Sequence, residues 1–199
     1  MVNNPKIIAF SGALRKDSVN KKTVVTAALG AEKQGAIVKI IDLRDYPLPL
    51  YDGDLEAEFG LPENARVLQR LFIEHDGLLI SSPEYNSGIS GTLKTYIDWI
   101  SRPCGDLGPG AAFRNKYASI MSASPGMLGG IRALPNLRTI LSSMGVHVLA
   151  EDFALGFADK AFASDGTAKS VEVRKKLENL GSSLVSVLSK VKAPLESVF

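Results

Sequence analysis

Gly77-Leu78-Leu79-Ile80-Ser81-Ser82-Pro83-Glu84-Tyr85-Asn86-Ser87-Gly88-Ile89-Ser90-Gly91 joins two patterns. Its first part is a continuous apolar run, Leu78-Leu79-Ile80, as expected of a central parallel strand covered on both faces. Its second part is polar and punctuated by glycine. Residues 92–101 then return to an apolar period of three to four, with Leu93, Ile97 and Ile100 on one face and Tyr96 beside them. Strand, polar loop and helix in that order predict an open α/β sheet, which gathers its ligands in loops at the carboxyl ends of its strands.

The same alternation extends in both directions. Upstream, residues 7–10 form a short apolar strand ending in Ser11-Gly12, and residues 23–29 show helical spacing through Val24, Val25, Ala28 and Leu29. Gly35 closes that helix and residues 36–43 read as a second strand. Residues 44–60 read as a long loop rich in Pro, Asp and Tyr. Pro62 stands in the first turn of a helix carrying Val67, Leu68, Leu71 and Phe72, which Asp76-Gly77 stops.

Downstream, Pro103 ends the helix that follows the quoted stretch, and residues 104–115 form a Gly/Pro-rich loop. Residues 116–123 read as strand four, 124–130 as a glycine loop, and Ile131, Leu134, Leu137, Leu141 and Met144 as the stripe of a fourth helix. Strand five spans 146–149. Residues 150–169 are irregular, and Ser170 caps a last helix with Val173, Leu177, Leu180, Leu184, Leu188 and Val191 on one face. Five strands alternating with five helices predict a doubly wound, five-stranded parallel sheet with helices on both faces. Its expected strand order is 2-1-3-4-5, the flavodoxin-like order, with the ligand crevice between strands one and three.

No shift in composition divides the 199 residues, so a single domain over 1–199 is expected. The 23 basic and 21 acidic residues nearly cancel and form no basic block, which argues against nucleic acid as a partner. A single cysteine, Cys104, excludes an intrachain disulfide, and with only His75 and His147 to join it a zinc site is not expected. No apolar stretch approaches the ~20 residues of a membrane helix, and residues 1–6 lack the features of a secretion signal. The reading is a cytoplasmic protein.

Three loops emerge at the same end of such a sheet. Loop one, residues 11–22, offers the hydroxyls of Ser11 and Ser18, the Asn20 amide, the Arg15 guanidinium and free amides at a helix start, a donor set suited to a phosphate. The same residues also read as an N-cap flanked by solvated cations. In loop three, Tyr85 is an aromatic wall and Asn86 and the backbone amides of residues 84–88 are donors, as a flat ring with polar edges requires. Pro83 and the glycines equally suit a plain turn. Glu84 alone has the chemistry of a general base, without a histidine or second carboxylate near it in sequence. Loop four, residues 124–130, offers backbone free of side chains.

The spacings of a P-loop, a dinucleotide fingerprint and a nucleophile elbow are all absent. Arg102 reads as a helix C-terminal cap or an anion-steering residue, Trp99 as core or subunit interface, Cys104 as a bystander, and both histidines as structural.

In order, Ser11-Gly12-Ala13-Leu14-Arg15-Lys16-Asp17-Ser18-Val19-Asn20, Pro83-Glu84-Tyr85-Asn86 and the run from Gly91 through Trp99 to Pro103 resemble the NADPH-dependent FMN reductase family, its bacterial chromate and quinone reductases above all. The resemblance covers residues 6–149. Pro47-Leu48-Pro49-Leu50-Tyr51-Asp52 adds to it, while Ser90, Val19 and Thr95-Tyr96 depart from the family's usual residues. It implies that Ser11, Arg15, Ser18 and Asn20 contact the FMN phosphate, with Leu14 and Val19 alongside. It implies too that Pro83, Glu84, Tyr85, Asn86 and Ser87 line the flavin and that Ala123 and Ser124 touch its other side. No residue is assigned as catalytic and no metal is expected.

The activity implied is hydride transfer from NADPH or NADH through FMN to a quinone, flavin or similar small-molecule acceptor, in a ping-pong sequence, by a homodimer or homotetramer. A flavodoxin-type electron carrier is the alternative, although such carriers tend to be strongly acidic and this chain is at +2. A flavin-free interaction protein of the same fold is the third.

Overall fold

The computed structural model describes residues 4–103 and 105–192. Cys104 lies outside them. The chain runs β1 (Lys6–Ser11), α1 (Val19–Lys33), β2 (Ile37–Ile41), a 3-10 turn (Leu43–Asp45), α2 (Gly53–Phe59), α3 (Glu63–Ile73) and β3 (Gly77–Ser81). It continues with β4 (Glu84–Tyr85), β5 (Gly88–Ile89), α4 (Gly91–Ile100), β6 (Tyr117–Ala123), α5 (Ala133–Ser143), β7 (His147–Val148), β8 (Phe153–Leu155) and α6 (Val171–Lys192).

The main sheet is parallel in the order β2-β1-β3-β6-β7, which is the expected 2-1-3-4-5. Its fifth position is shared: β7 pairs with Tyr117 and Ala118 at the start of β6, and β8 pairs with Met121 to Ala123 at its end. One face of the sheet packs on Leu68 and Phe72 of α3, Tyr96 and Ile100 of α4 and Leu137 of α5. The other packs on α1 and α6. β3 is buried at all five positions, as its unbroken apolar run requires.

Three local expectations are corrected. Residues 44–60 are not all loop, because α2 forms there without a single buried residue. Asp52 caps it by accepting from Asp54 N–H at 2.9 Å. Residues 83–91 hold a two-residue hairpin, β4 against β5, whose turn residues Asn86 (φ 52°) and Ser87 (φ 67°) are both left-handed as a type I′ turn demands. In α1, Val25 and Leu29 face solvent, and the buried side is Val24, Ala27, Ala28 and Ala31. That small-residue face follows from how closely α6 crosses it: a Cβ on Gly30 would overlap the Glu178 carbonyl, and one on Gly181 the Ala27 carbonyl.

Asp42, at the end of β2, ties the sheet edge to α1. It accepts from Lys21 Nζ at 2.7 Å and Arg44 Nη2 at 2.8 Å, and its second oxygen caps the 3-10 turn through Arg44 N–H at 3.1 Å. Partial burial pushes its carboxyl up, but the Arg44 and Lys21 hydrogen bonds outweigh this and hold it at about 2, against an ordinary 3.8. A depressed carboxylate stabilises the fold above its unfolded value and stops doing so as the pH falls through its folded value. Asp42→Asn should therefore cost about 1–2 kcal/mol at neutral pH, after discounting for its partial exposure. Urea unfolding of the two proteins should converge as the pH drops from 3.8 to about 2. A constant difference across that window would remove the ionised form from the account.

Candidate functional site

At the carboxyl end of the sheet, β1 leads into loop one, β3 into the hairpin and β6 into loop four, and the three enclose a crevice of about 320 Å³. Nine of the thirteen expected residues line it. Arg15, Ser18, Val19 and Asn20 come from loop one and the start of α1, Pro83, Glu84 and Tyr85 from the hairpin, and Ala123 and Ser124 from β6 and the loop beyond. Ala13 and Pro125 line it as well; with no polar group in their side chains, they carry no chemical signal in the sequence.

The other four lie elsewhere. Ser11 is buried below the loop, where its Oγ accepts from Ala13 N–H at 3.2 Å. Leu14 lines a neighbouring cavity, and Asn86 and Ser87 stand exposed at the hairpin tip.

Loop one carries the donors that an anion would need. Ser18 caps α1 by accepting from Asn20 N–H at 3.3 Å. The backbone N–H groups of residues 14–17 find no acceptor among the described residues, and Arg15 is exposed with no carboxylate partner among them. Unsatisfied amides, a guanidinium and the positive end of a 15-residue helix thus lie together in one turn. The Asn20 side chain, in contrast, turns inward: it is 2% exposed and bonded to Ser81 and Ala123.

Across the crevice Tyr85 is 59% exposed and offers an aromatic face. Glu84 is not poised as a base. Its side chain is 8% exposed and accepts from Arg132 N–H at 2.9 Å, Ala133 N–H at 3.3 Å and the Arg132 guanidinium at 2.7 Å. Burial alone would raise its pKa, but these donors at the start of α5 hold it below the ordinary glutamate range. Glu84 thus anchors the hairpin to α5.

Two of the three glycines of loop four, Gly129 and Gly130, are spent on packing rather than on an open face. Gly129 (φ 63°) lies against the backbone of residues 154–156, and a Cβ on Gly130 (φ 87°) would overlap Ser122 Oγ.

A second cavity of about 430 Å³, which Leu14 lines between the crevice residues Ala13 and Arg15, is mostly apolar, with Leu48, Leu50, Thr95 and Tyr96 in its walls and Arg44 as its cation. It is the larger of the two, but Arg15, the start of α1 and the end of β6 belong to the smaller. Its outer wall is strapped to α4: the Tyr96 hydroxyl lies 2.7 Å from the carbonyls of Leu43 and Tyr46, and Trp99 Nε1 donates to Pro49 C=O at 2.8 Å. Arg102 neither caps α4 nor faces the crevice. It pairs with Glu56 of α2 at 2.7 Å and lies over the Tyr51 ring. His75 and His147 sit at the opposite end of the sheet, His75 against Leu71 C=O and His147 stacked on Tyr117.

The family model for NADPH-dependent FMN reductase matches residues 5–160. Among curated proteins, an NAD(P)H-dependent FMN reductase of Pseudomonas aeruginosa is 34% identical over 167 residues, covering 83% of this chain and 85% of that protein. A quinone reductase of Escherichia coli is 32% identical over 154 residues, covering 76% and 77%. Among solved structures, the FerB flavoenzyme NAD(P)H:(acceptor) oxidoreductase of Paracoccus denitrificans superposes with a TM-score of 0.78 at 28% identity, covering 94% of this chain and 98% of that one.

Proposed function

Because the chain belongs to the NADPH-dependent FMN reductase family, we propose that it is an NAD(P)H-dependent flavin oxidoreductase whose FMN lies in the crevice between loop one, the hairpin and the end of β6. One observation carries this reading. An anion-binding turn with Arg15, an exposed aromatic ring at Tyr85 and the backbone edge at Ala123 and Ser124 come from three separate strand ends and meet around one cavity.

The residues present fit the group. The free amides of residues 14–17, Arg15 and the start of α1 would hold the phosphate, and Tyr85 and Pro83 would bound one side of the ring. When bound, FMN supplies a ring that accepts a hydride and passes it on. The protein's part is to bind, orient and shield. Glu84, locked to Arg132 and the start of α5, fixes the angle of the hairpin and moves no proton. No side chain in the crevice is placed as an acid or base, so the reaction depends on positioning and on backbone donors.

The second, apolar cavity, with Arg44 at its wall, suits a quinone-like acceptor. A small-molecule acceptor that takes the place the nicotinamide has left makes the order ping-pong, in the cytoplasm where NAD(P)H is supplied. The chain acts as one domain in a homo-oligomer, which light scattering of the purified protein checks.

The experiment is direct: purified protein is titrated with FMN by fluorescence quenching, then mixed anaerobically with NADPH or NADH in a stopped-flow cell. Saturable binding followed by rapid bleaching of the flavin band is expected. Failure to bind FMN, or FMN that neither nicotinamide reduces, would overturn the reading; the second result would favour an electron carrier.

A further inference from the structure

At the upper end of the sheet, β3 leaves its place beside β6. Ser82 N–H donates to Met121 C=O at 2.9 Å, the last rung between these strands, and Pro83 then turns the chain away into the hairpin. The backbone groups of Ala123, one rung further on, would be left without a strand partner on that side. Both are satisfied by one side chain from another element: Asn20 Oδ1 accepts from Ala123 N–H at 2.9 Å, and Asn20 Nδ2 donates to Ala123 C=O at 2.8 Å. The amide is therefore used as a peptide group would be, completing the ladder where the strand has gone.

The same Oδ1 accepts from Ser81 Oγ at 2.8 Å. Ser81 and Asn20 are 0% and 2% exposed. The start of α1, the end of β3 and the end of β6 thus meet at one buried amide directly beneath the crevice.

We propose that Asn20 is a positioning residue for the flavin site rather than a phosphate ligand: it holds the Ala123–Ser124 edge in register with loop one, so that the crevice is formed before the ligand arrives. This rests on FMN occupying the crevice. Pre-formed geometry lowers the ordering cost of binding, so its loss weakens any ligand that touches the edge, whether or not it carries a phosphate. Removing a phosphate ligand weakens only a phosphorylated one.

FMN and riboflavin, which differ by the phosphate, separate these roles. Both are titrated by fluorescence quenching into the wild-type protein and into Asn20→Ala, Ser81→Ala and the double variant, with circular dichroism as the check on folding. Asn20→Ala is expected to weaken FMN and riboflavin alike, by about tenfold, leaving the ratio of the two affinities unchanged. Ser81→Ala, which touches neither flavin, is expected to weaken both by about threefold alone and to add nothing in the Asn20→Ala background, because it acts through the Asn20 amide.

Loss of FMN binding with riboflavin binding intact would make Asn20 a phosphate ligand and overturn the proposal, as would unchanged affinities in a folded variant. If Asn20→Ala does not fold, Ser81→Ala decides by the same criterion. A wild-type protein that binds neither flavin would overturn the placement of FMN itself, and is told apart by failing before any substitution is made.

Discussion

Gly181→Val should lower the stability of the protein by about 3 kcal/mol, the upper part of the range for overpacking a buried contact. Gly181 lies in the middle of α6 where it crosses α1, and a Cβ there would overlap the Ala27 carbonyl and come within 2.8 Å of Ala31 N. These are backbone atoms of a helix, so they cannot rotate aside as a side chain does, and relief requires the two helices to separate.

Separation would spread along the seam. Gly30 meets the Glu178 backbone in the same way, Ser182 Oγ donates to Gly30 C=O at 3.2 Å, and Lys33 pairs with Glu178 at 2.7 Å. Alanine is the informative second variant. It regains about 1 kcal/mol of helix propensity over glycine, which offsets part of the overlap, so Gly181→Ala should be clearly less damaging than valine yet still destabilising. In a chain of this size the valine variant should melt roughly 6–12 °C below the parent. A melting point within about 2 °C of the parent would mean that the crossing relaxes at little cost.

The same seam shows where the sequence is readable and where it is not. Strand β3 and the faces of α3, α4 and α6 follow from runs and periods of large apolar residues, because burial of those residues is what holds the elements in place. In helix α1 the apolar spacing runs through Val24, Val25, Ala28 and Leu29, but the closeness set by Gly30 and Gly181 buries Val24 and an alanine face and leaves Val25 and Leu29 outside, and such a face has no hydrophobic contrast to read. Helix α2 buries nothing and is held by an Asp52 cap and the Glu56–Arg102 pair, a contact 46 residues apart. The hairpin has strands of two residues and an Asn86-Ser87 turn instead of the usual Asn-Gly.

For the candidate site, residues named from the three loops line one crevice. Roles were harder to read, because they depend on partners distant in sequence. Glu84 has a base's chemistry until Arg132 is seen to hold it, and Asn20 a donor's chemistry until Ala123 is seen to use it.

Arg15→Ala should weaken FMN binding by about 1.5–3 kcal/mol, roughly 10- to 150-fold, the range for hydrogen bonds to a charged group. Arg15 is the guanidinium that the crevice contains, and it has no carboxylate partner among the described residues, so its charge is free for a ligand. Arg132 is already committed to Glu84, and Arg44 to Asp42. An exposed arginine with no structural bond carries little stability, so the variant should melt with the parent while its FMN affinity falls.

The effect should be specific to the phosphate: riboflavin affinity should be unchanged, and the FMN affinity of the parent should decline with added salt more steeply than that of the variant. Parallel loss of FMN and riboflavin would place Arg15 against the ring, and no loss of either would remove it from the site. Because Asn20→Ala is expected to do the reverse, lowering both flavins together, the pair of variants divides the crevice into a phosphate end set by Arg15 and free amides and a ring edge set by the buried amide beneath it.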